Sequence, residues 1–200
     1  MNDGAAGCVY VVSGLPRSGT SLAMDLLQAG GMELFTDGVR EPDADNSNGY
    51  FEHILATRLR TESDWVYGAI GKAVKIISPS LRFLPVDVRY RIVFMRRDVR
   101  EISRSQERML ERSGKGTGDN REEIEQVMTS HLHQVEGWIA LQEHVDVLYL
   151  DYAQVVTAPE EACQRLIEFA GLAGGAGHMA TRVDPMLYRQ RETTYKRDTF

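Results

Sequence analysis

Cys8-Val9-Tyr10-Val11-Val12-Ser13-Gly14-Leu15-Pro16-Arg17-Ser18-Gly19-Thr20-Ser21 is the stretch from which the architecture can be read. Its opening run is apolar and β-branched, the signature of a strand buried on both faces. The run stops at Gly14, and the periodic apolar residues Leu22, Ala23, Leu26 and Leu27 then mark a helix over about 19–28. A strand, a glycine turn and a helix N-terminus form a phosphate cradle, because the first helical N–H groups and the helix dipole both favour an anion. Gly14 and Gly19 stand five apart, as in the phosphate-binding pattern G-x-x-x-x-G-K-[ST]. Thr20 replaces the lysine, Ser21 keeps the hydroxyl, and Arg17 is the cation inside the loop. A nucleotide kinase with a degenerate loop is one activity compatible with this pattern.

Two hundred residues suit one domain, read here as spanning 1–200. A net charge of −6 argues against a general nucleic-acid or anionic-membrane surface. The cations nevertheless gather around Arg17, Lys72 and Lys75 and over 96–108, as a local anion site in an acidic protein requires. Cys8 and Cys163 read as small buried apolar residues rather than a disulfide or a metal knuckle. With no basic leader and no apolar run of membrane length, the reading is a cytoplasmic protein without an integral membrane segment.

Beyond the first helix comes a long polar stretch, 35–48, suited to bordering a substrate site. A second helix is expected near 54–62, and strands at 72–77, 90–95 and 145–150. Helices are expected over 99–111, from Asp119 or Asn120 to Gln142, over 159–170 and over 176–181. The long one has Ile124, Val127, Leu132, Val135, Trp138 and Leu141 on its apolar side. Strands alternating with helices imply an α/β, three-layer P-loop fold whose central parallel sheet is covered by helices on both faces. Ligands in such folds bind beyond the carboxyl ends of the strands, where Gly14, Ser78, Arg97 and Asp151 fall.

Pro16-Arg17-Ser18-Gly19-Thr20-Ser21 resembles the 5′-phosphosulfate loop of sulfotransferases that use 3′-phosphoadenosine 5′-phosphosulfate (PAPS). Arg97, just after a strand, and Ser105, eight positions on, resemble that family's pair for the 3′-phosphate, with Asp98-Val99 where the family often has Asn-Pro. Val147-Leu148-Tyr149-Leu150-Asp151-Tyr152, Pro159 and Ile167-Glu168-Phe169-Ala170-Gly171-Leu172 are similar to the late strand and helix of bacterial members. Val183-Asp184-Pro185-Met186-Leu187-Tyr188-Arg189 looks like their tail motif. The resemblance implies PAPS as donor, leaving as adenosine 3′,5′-diphosphate, bound by Gly14, Pro16, Arg17, Ser18, Gly19, Thr20, Ser21, Arg97, Ser105 and Arg189. It implies a hydroxyl or amine acceptor on a small molecule, glycan or lipid. A second copy of the chain could complete an acceptor pocket that 200 residues leave short.

The resemblance makes Arg17 the cation on the departing charge, with Lys75 assisting. The histidine base that some members place two residues after this lysine is Ile77 here. Other members use a glutamate after the first helix, which makes Glu41 the first candidate base, Glu52 the second and His53 the third. Glu52 also has a ready alternative use as a helix cap, and Glu41 as a solvated loop charge. His131 and His133 face different sides of one helix, so no metal is expected. Two other readings stay open: a Mg²⁺-dependent P-loop kinase with Asp151 on the metal, and a non-catalytic nucleotide-binding module.

Overall fold

Strand β1 (Cys8–Gly14) is buried along its whole length, as its run of β-branched residues predicts. The structure, a computed structural model, describes residues 7–38, 51–112, 114 and 120–184. Three further strands lie parallel in one sheet with it: β2 (Ala73–Lys75), β3 (Arg89–Arg96) and β4 (Val145–Asp151), in the order β2-β1-β3-β4. The chain leaves β1 for β2 on one side and returns to β3 on the other. The carboxyl ends of β1 and β3 therefore flank a topological switch point, where open parallel sheets bind ligands.

Alternate residues of β1 face two different layers. Cys8, Tyr10 and Val12 join Val93 and Met95 beneath helices α1 (Thr20–Ala29), α4 (Tyr152–Thr157), α5 (Pro159–Ala170) and α6 (Ala176–Ala180). Val9 and Val11 join Val74, Ile92 and Phe94 on the opposite face. That face is covered by Val135 and Ile139 of helix α3 (Arg121–Ile139) and by three 3₁₀ turns, Ile54–Arg58, Asp64–Ala69 and Ser78–Phe83. Helix α2 (Val99–Arg112) starts directly after β3 and buries Glu101, Ile102 and Ser103 in its first turns. The α/β architecture with a parallel sheet between two helical layers is as expected.

Several elements differ from the sequence reading. The segment expected as a helix over 54–62 is a single 3₁₀ turn, started by His53, whose Nδ1 accepts from the Leu55 amide. β2 is three residues long, because the chain turns at Ser78 into a 3₁₀ helix with Pro79 in its first turn. Tyr152–Thr157, unassigned from sequence, is a short helix that begins immediately after β4.

Helix α3 departs most from its apolar pattern. Val135 and Ile139 are buried, but Ile124 is 43% exposed, Val127 63% and Leu141 81%. Two bonds explain the N-terminal half. Glu136 accepts from Arg96 at the end of β3 (2.8 Å), and His131 meets Ser78, three residues past the end of β2 (2.9 Å). Residues 121–130 therefore overhang the carboxyl ends of the strands and have no sheet beneath them.

Candidate functional site

At Gly14 the chain leaves the sheet with φ +145°, and Arg17 (+71°) and Gly19 (+100°) follow in the left-handed region. A Cβ at Gly14 would stand 2.5 Å from Ser18 Oγ and 2.6 Å from the Met95 carbonyl oxygen, so β3 packs directly against the turn. A Cβ at Gly19 would stand 2.5 Å from the Tyr152 ring. Glycine is thus required at both positions by sterics as well as by dihedral angle. The loop closes on itself through Ser18 N–H to the Leu15 carbonyl (3.1 Å). Gly19 stands before α1, whose N-terminus has no side-chain cap and no acidic residue in its first turn. Those amide N–H groups are the donor set that an anion needs.

Arg17 is not a glycine, and an L-residue in the left-handed region costs about 1–2 kcal/mol. Its conformation is held from both ends. Its Nε donates to Ser105 Oγ on α2 (3.1 Å), and its carbonyl accepts from Arg97 Nη1 (3.1 Å). The two motifs separated by some eighty residues are thereby one site. Arg97 itself is packed away, its side chain 7% exposed. Its Nε donates to Glu101 Oε2 (3.0 Å), and its guanidinium lies 4.3 Å from the centre of the Tyr152 ring. Burial pushes the Tyr152 phenol above its ordinary pKa, with the Arg97 charge opposing.

The other side of the loop is built by β2. Its last residue, Lys75, is paired in register with Val12 and donates from Nζ to Ser21 Oγ (3.1 Å) and to Glu52 Oε1 (3.3 Å). Glu52 is not a helix cap; that use belongs to His53. Phe51, just before it, has φ +52°, the second described non-glycine residue with positive φ after Arg17. The Glu52 carbonyl accepts from Thr36 Oγ1 (3.1 Å), and Asp37 Oδ2 accepts from the Ile54 amide (2.6 Å). The ring of His53 stacks on Phe35, which stacks on Trp65. These contacts fix where Glu52 enters the site and give His53 a structural use.

Of the expected residues, Gly14, Arg17, Ser18, Gly19, Thr20, Ser21, Lys75, Glu52, Arg97 and Ser105 come together at the strand ends. Pro16 is exposed, and among the described residues Ser18 Oγ is buried without a hydrogen-bond partner. Glu41 and Arg189 lie outside the described residues. Among the described residues no cluster of three or more His, Cys, Asp or Glu side chains suits a metal ion, and no helix is long and apolar enough to cross a membrane. Sequence reasoning missed Glu101, although its spacing of four from Arg97 is a helical pairing signal. It also missed Tyr152 as a site residue; only the fold carries β4 and α4 to the loop.

Residues 89–174, from the start of β3 to just past α5, match the model of the sulfotransferase family. The resemblance to sulfotransferases is borne out. The matched segment holds Arg97, Glu101, Ser105 and Tyr152, and the glycine loop between Gly14 and Gly19 precedes it. A solved sulfotransferase domain is similar in fold. The sulfotransferase domain from the Synechococcus PCC 7002 olefin synthase aligns with 97% of this chain and 91% of its own length, at 12% identity and a TM-score of 0.53. The sulfotransferase domain from the curacin biosynthetic pathway covers 93% of this chain and 79% of its own, at 13% identity and a TM-score of 0.48. A sulfotransferase from Alicyclobacillus acidocaldarius covers 83% and 81%, at 15% identity and a TM-score of 0.48. No curated protein sequence matches.

The packing of Tyr152 under the loop makes a stability prediction. Gly19 and Gly171 both have positive φ, but only at Gly19 would a Cβ meet another group within 4 Å. Gly171→Ala should cost about 1–2 kcal/mol from backbone strain alone, and Gly19→Ala should cost more, read as urea midpoints with unchanged slope. Equal losses would show that the Tyr152 ring does not limit this position.

Proposed function

We propose that this protein transfers the sulfuryl group of PAPS to a hydroxyl or amine acceptor. The observation that carries the reading is the double contact between the two anion motifs, Arg17 Nε to Ser105 Oγ and Arg97 Nη1 to the Arg17 carbonyl. One motif suits a 5′-phosphosulfate, the other a 3′-phosphate, and both sit at the switch point of the sheet. The donor set fits the proposed substrate: amides at the start of α1, two guanidinium groups, an ammonium and several hydroxyls offer donors to every anionic group of the nucleotide.

In this reading the residues divide the work by position. The amides at the N-terminus of α1 and the Ser21 hydroxyl orient the 5′ end. Arg17 and Lys75 face the bridging oxygen on which charge grows as its bond to sulfur breaks. Glu52, beside Lys75, takes the acceptor proton as the new bond to sulfur forms. The proton passes to Glu52 and the bridging electron pair leaves with adenosine 3′,5′-diphosphate, so charge and atoms balance. Overhanging residues 121–130 and the segment around Glu52 border the side from which an acceptor approaches.

The kinase alternative fares worse on position. Asp151 ends β4, which pairs with β3 and not with β1. It stands two strand spacings, about 9–10 Å, from the loop strand. Of the two strands beside β1, β2 ends in Lys75 and β3 in Arg96, with Arg97 directly after it.

Cofactor choice is the first test. Adenosine 3′,5′-diphosphate should bind roughly tenfold to a hundredfold more tightly than ADP in calorimetric titrations, the worth of about 1.5–3 kcal/mol for a charged hydrogen bond. Equal affinities would remove the reading's support.

The base is tested separately. Glu52→Gln should keep the nucleotide affinity and slow transfer by about 10²–10⁴-fold, measured as release of adenosine 3′,5′-diphosphate from PAPS with a working acceptor. Glu41→Gln is the comparison. If Glu41→Gln loses transfer and Glu52→Gln does not, the role belongs to Glu41.

A further inference from the structure

Arg97 is gripped more firmly than a surface phosphate ligand needs to be. Its guanidinium is held in its own plane by two bonds, Nε to Glu101 Oε2 at 3.0 Å and Nη1 to the Arg17 carbonyl at 3.1 Å. The guanidinium carbon also lies over the ring of Tyr152, 4.3 Å from its centre. Two bonds and one aromatic face together restrict how a planar cation can turn. Both charged side chains are buried, Arg97 at 7% exposed and Glu101 at 5%. Tyr152 at 7% is buried with them. The same ring stands where a Cβ of Gly19 would go, so it supports the phosphate loop and Arg97 together.

A long flexible arginine loses rotamer freedom when it closes on a ligand, and prior fixation removes that cost from binding. We propose that Glu101 and Tyr152 are positioning residues that preset the Arg97 guanidinium, so that the protein's preference for a 3′-phosphorylated nucleotide depends on two groups that do not touch it. The assignment rests on the functional reading above, since it presumes that Arg97 meets the 3′-phosphate. A purely structural ion pair would stabilise the fold without bearing on which nucleotide is chosen.

The test is calorimetric titration with adenosine 3′,5′-diphosphate and with ADP. It compares the wild type with Glu101→Ala, Glu101→Gln, Tyr152→Phe and Tyr152→Leu, each checked for folding by circular dichroism. Glu101→Ala and Tyr152→Leu should each weaken the 3′,5′-diphosphate about tenfold, the scale of one charge-assisted bond, with much less effect on ADP. Glu101→Gln keeps an oxygen that can accept from Nε, and Tyr152→Phe keeps the ring, so both should retain most of the preference. An unchanged ratio in Glu101→Ala and Tyr152→Leu overturns the assignment. So does an equal loss for both nucleotides, or a Glu101→Gln as unselective as Glu101→Ala. If Glu101→Ala does not fold, Tyr152→Leu against Tyr152→Phe decides. A wild type with no preference overturns the functional reading first, and this assignment with it; a selective wild type with an equally selective Glu101→Ala and Tyr152→Leu overturns this assignment alone.

Discussion

The bond from Arg97 to the carbonyl of Arg17 joins the two halves of the site, and much of the surrounding structure serves to keep it in place. It requires a cation carried into a nearly dry environment, which is costly without a matched partner. Glu101 supplies the charge and Tyr152 the flat surface. Removing one member of a buried ion pair typically costs about 3–5 kcal/mol, so this corner of the fold is poorly tolerant of change. What the arrangement gives in return is a loop residue, Arg17, stabilised in a left-handed conformation that its side chain would otherwise resist.

The opposite flank of the loop is organised differently. Lys75 bridges Ser21 and Glu52, and it is the more buried partner: its side chain is 10% exposed against 41% for Glu52. A cation anchored inside and a carboxylate reaching outward suit a site in which one group faces the bound nucleotide and the other faces the incoming acceptor. The strand order produces this division. β1 lies between β2 and β3, so the loop after it collects Lys75 from one neighbour and Arg97 from the other.

Much of this was legible in the sequence, for a physical reason. The glycine loop is local: its glycine spacing, the strand before it and the helix after it all lie within a few turns of chain, where pattern and chemistry coincide. Arg97 and Ser105, expected as a pair, both meet Arg17 in the structure. Legibility failed where tertiary position overrode local pattern. Val127 and Ile124 share the apolar spacing of Val135, yet they lie on the overhang where there is no sheet to cover them. Tyr152 lies just past the strand expected at 145–150, and its place against Gly19 arises only where β4 runs directly into α4. Glu52 could not be separated from a helix cap until His53 was seen to do the capping and Lys75 to meet the carboxylate.

One nucleotide should span both motifs, with its 5′ end in the loop and its 3′-phosphate at Arg97 and Ser105. A crystal structure with adenosine 3′,5′-diphosphate tests it most directly. The 5′-phosphate should lie on the amides at the N-terminus of α1, and the 3′-phosphate within hydrogen-bond distance of both Arg97 and Ser105. A 3′-phosphate turned to solvent, with Arg97 still closed on Glu101 and the Arg17 carbonyl alone, would contradict it.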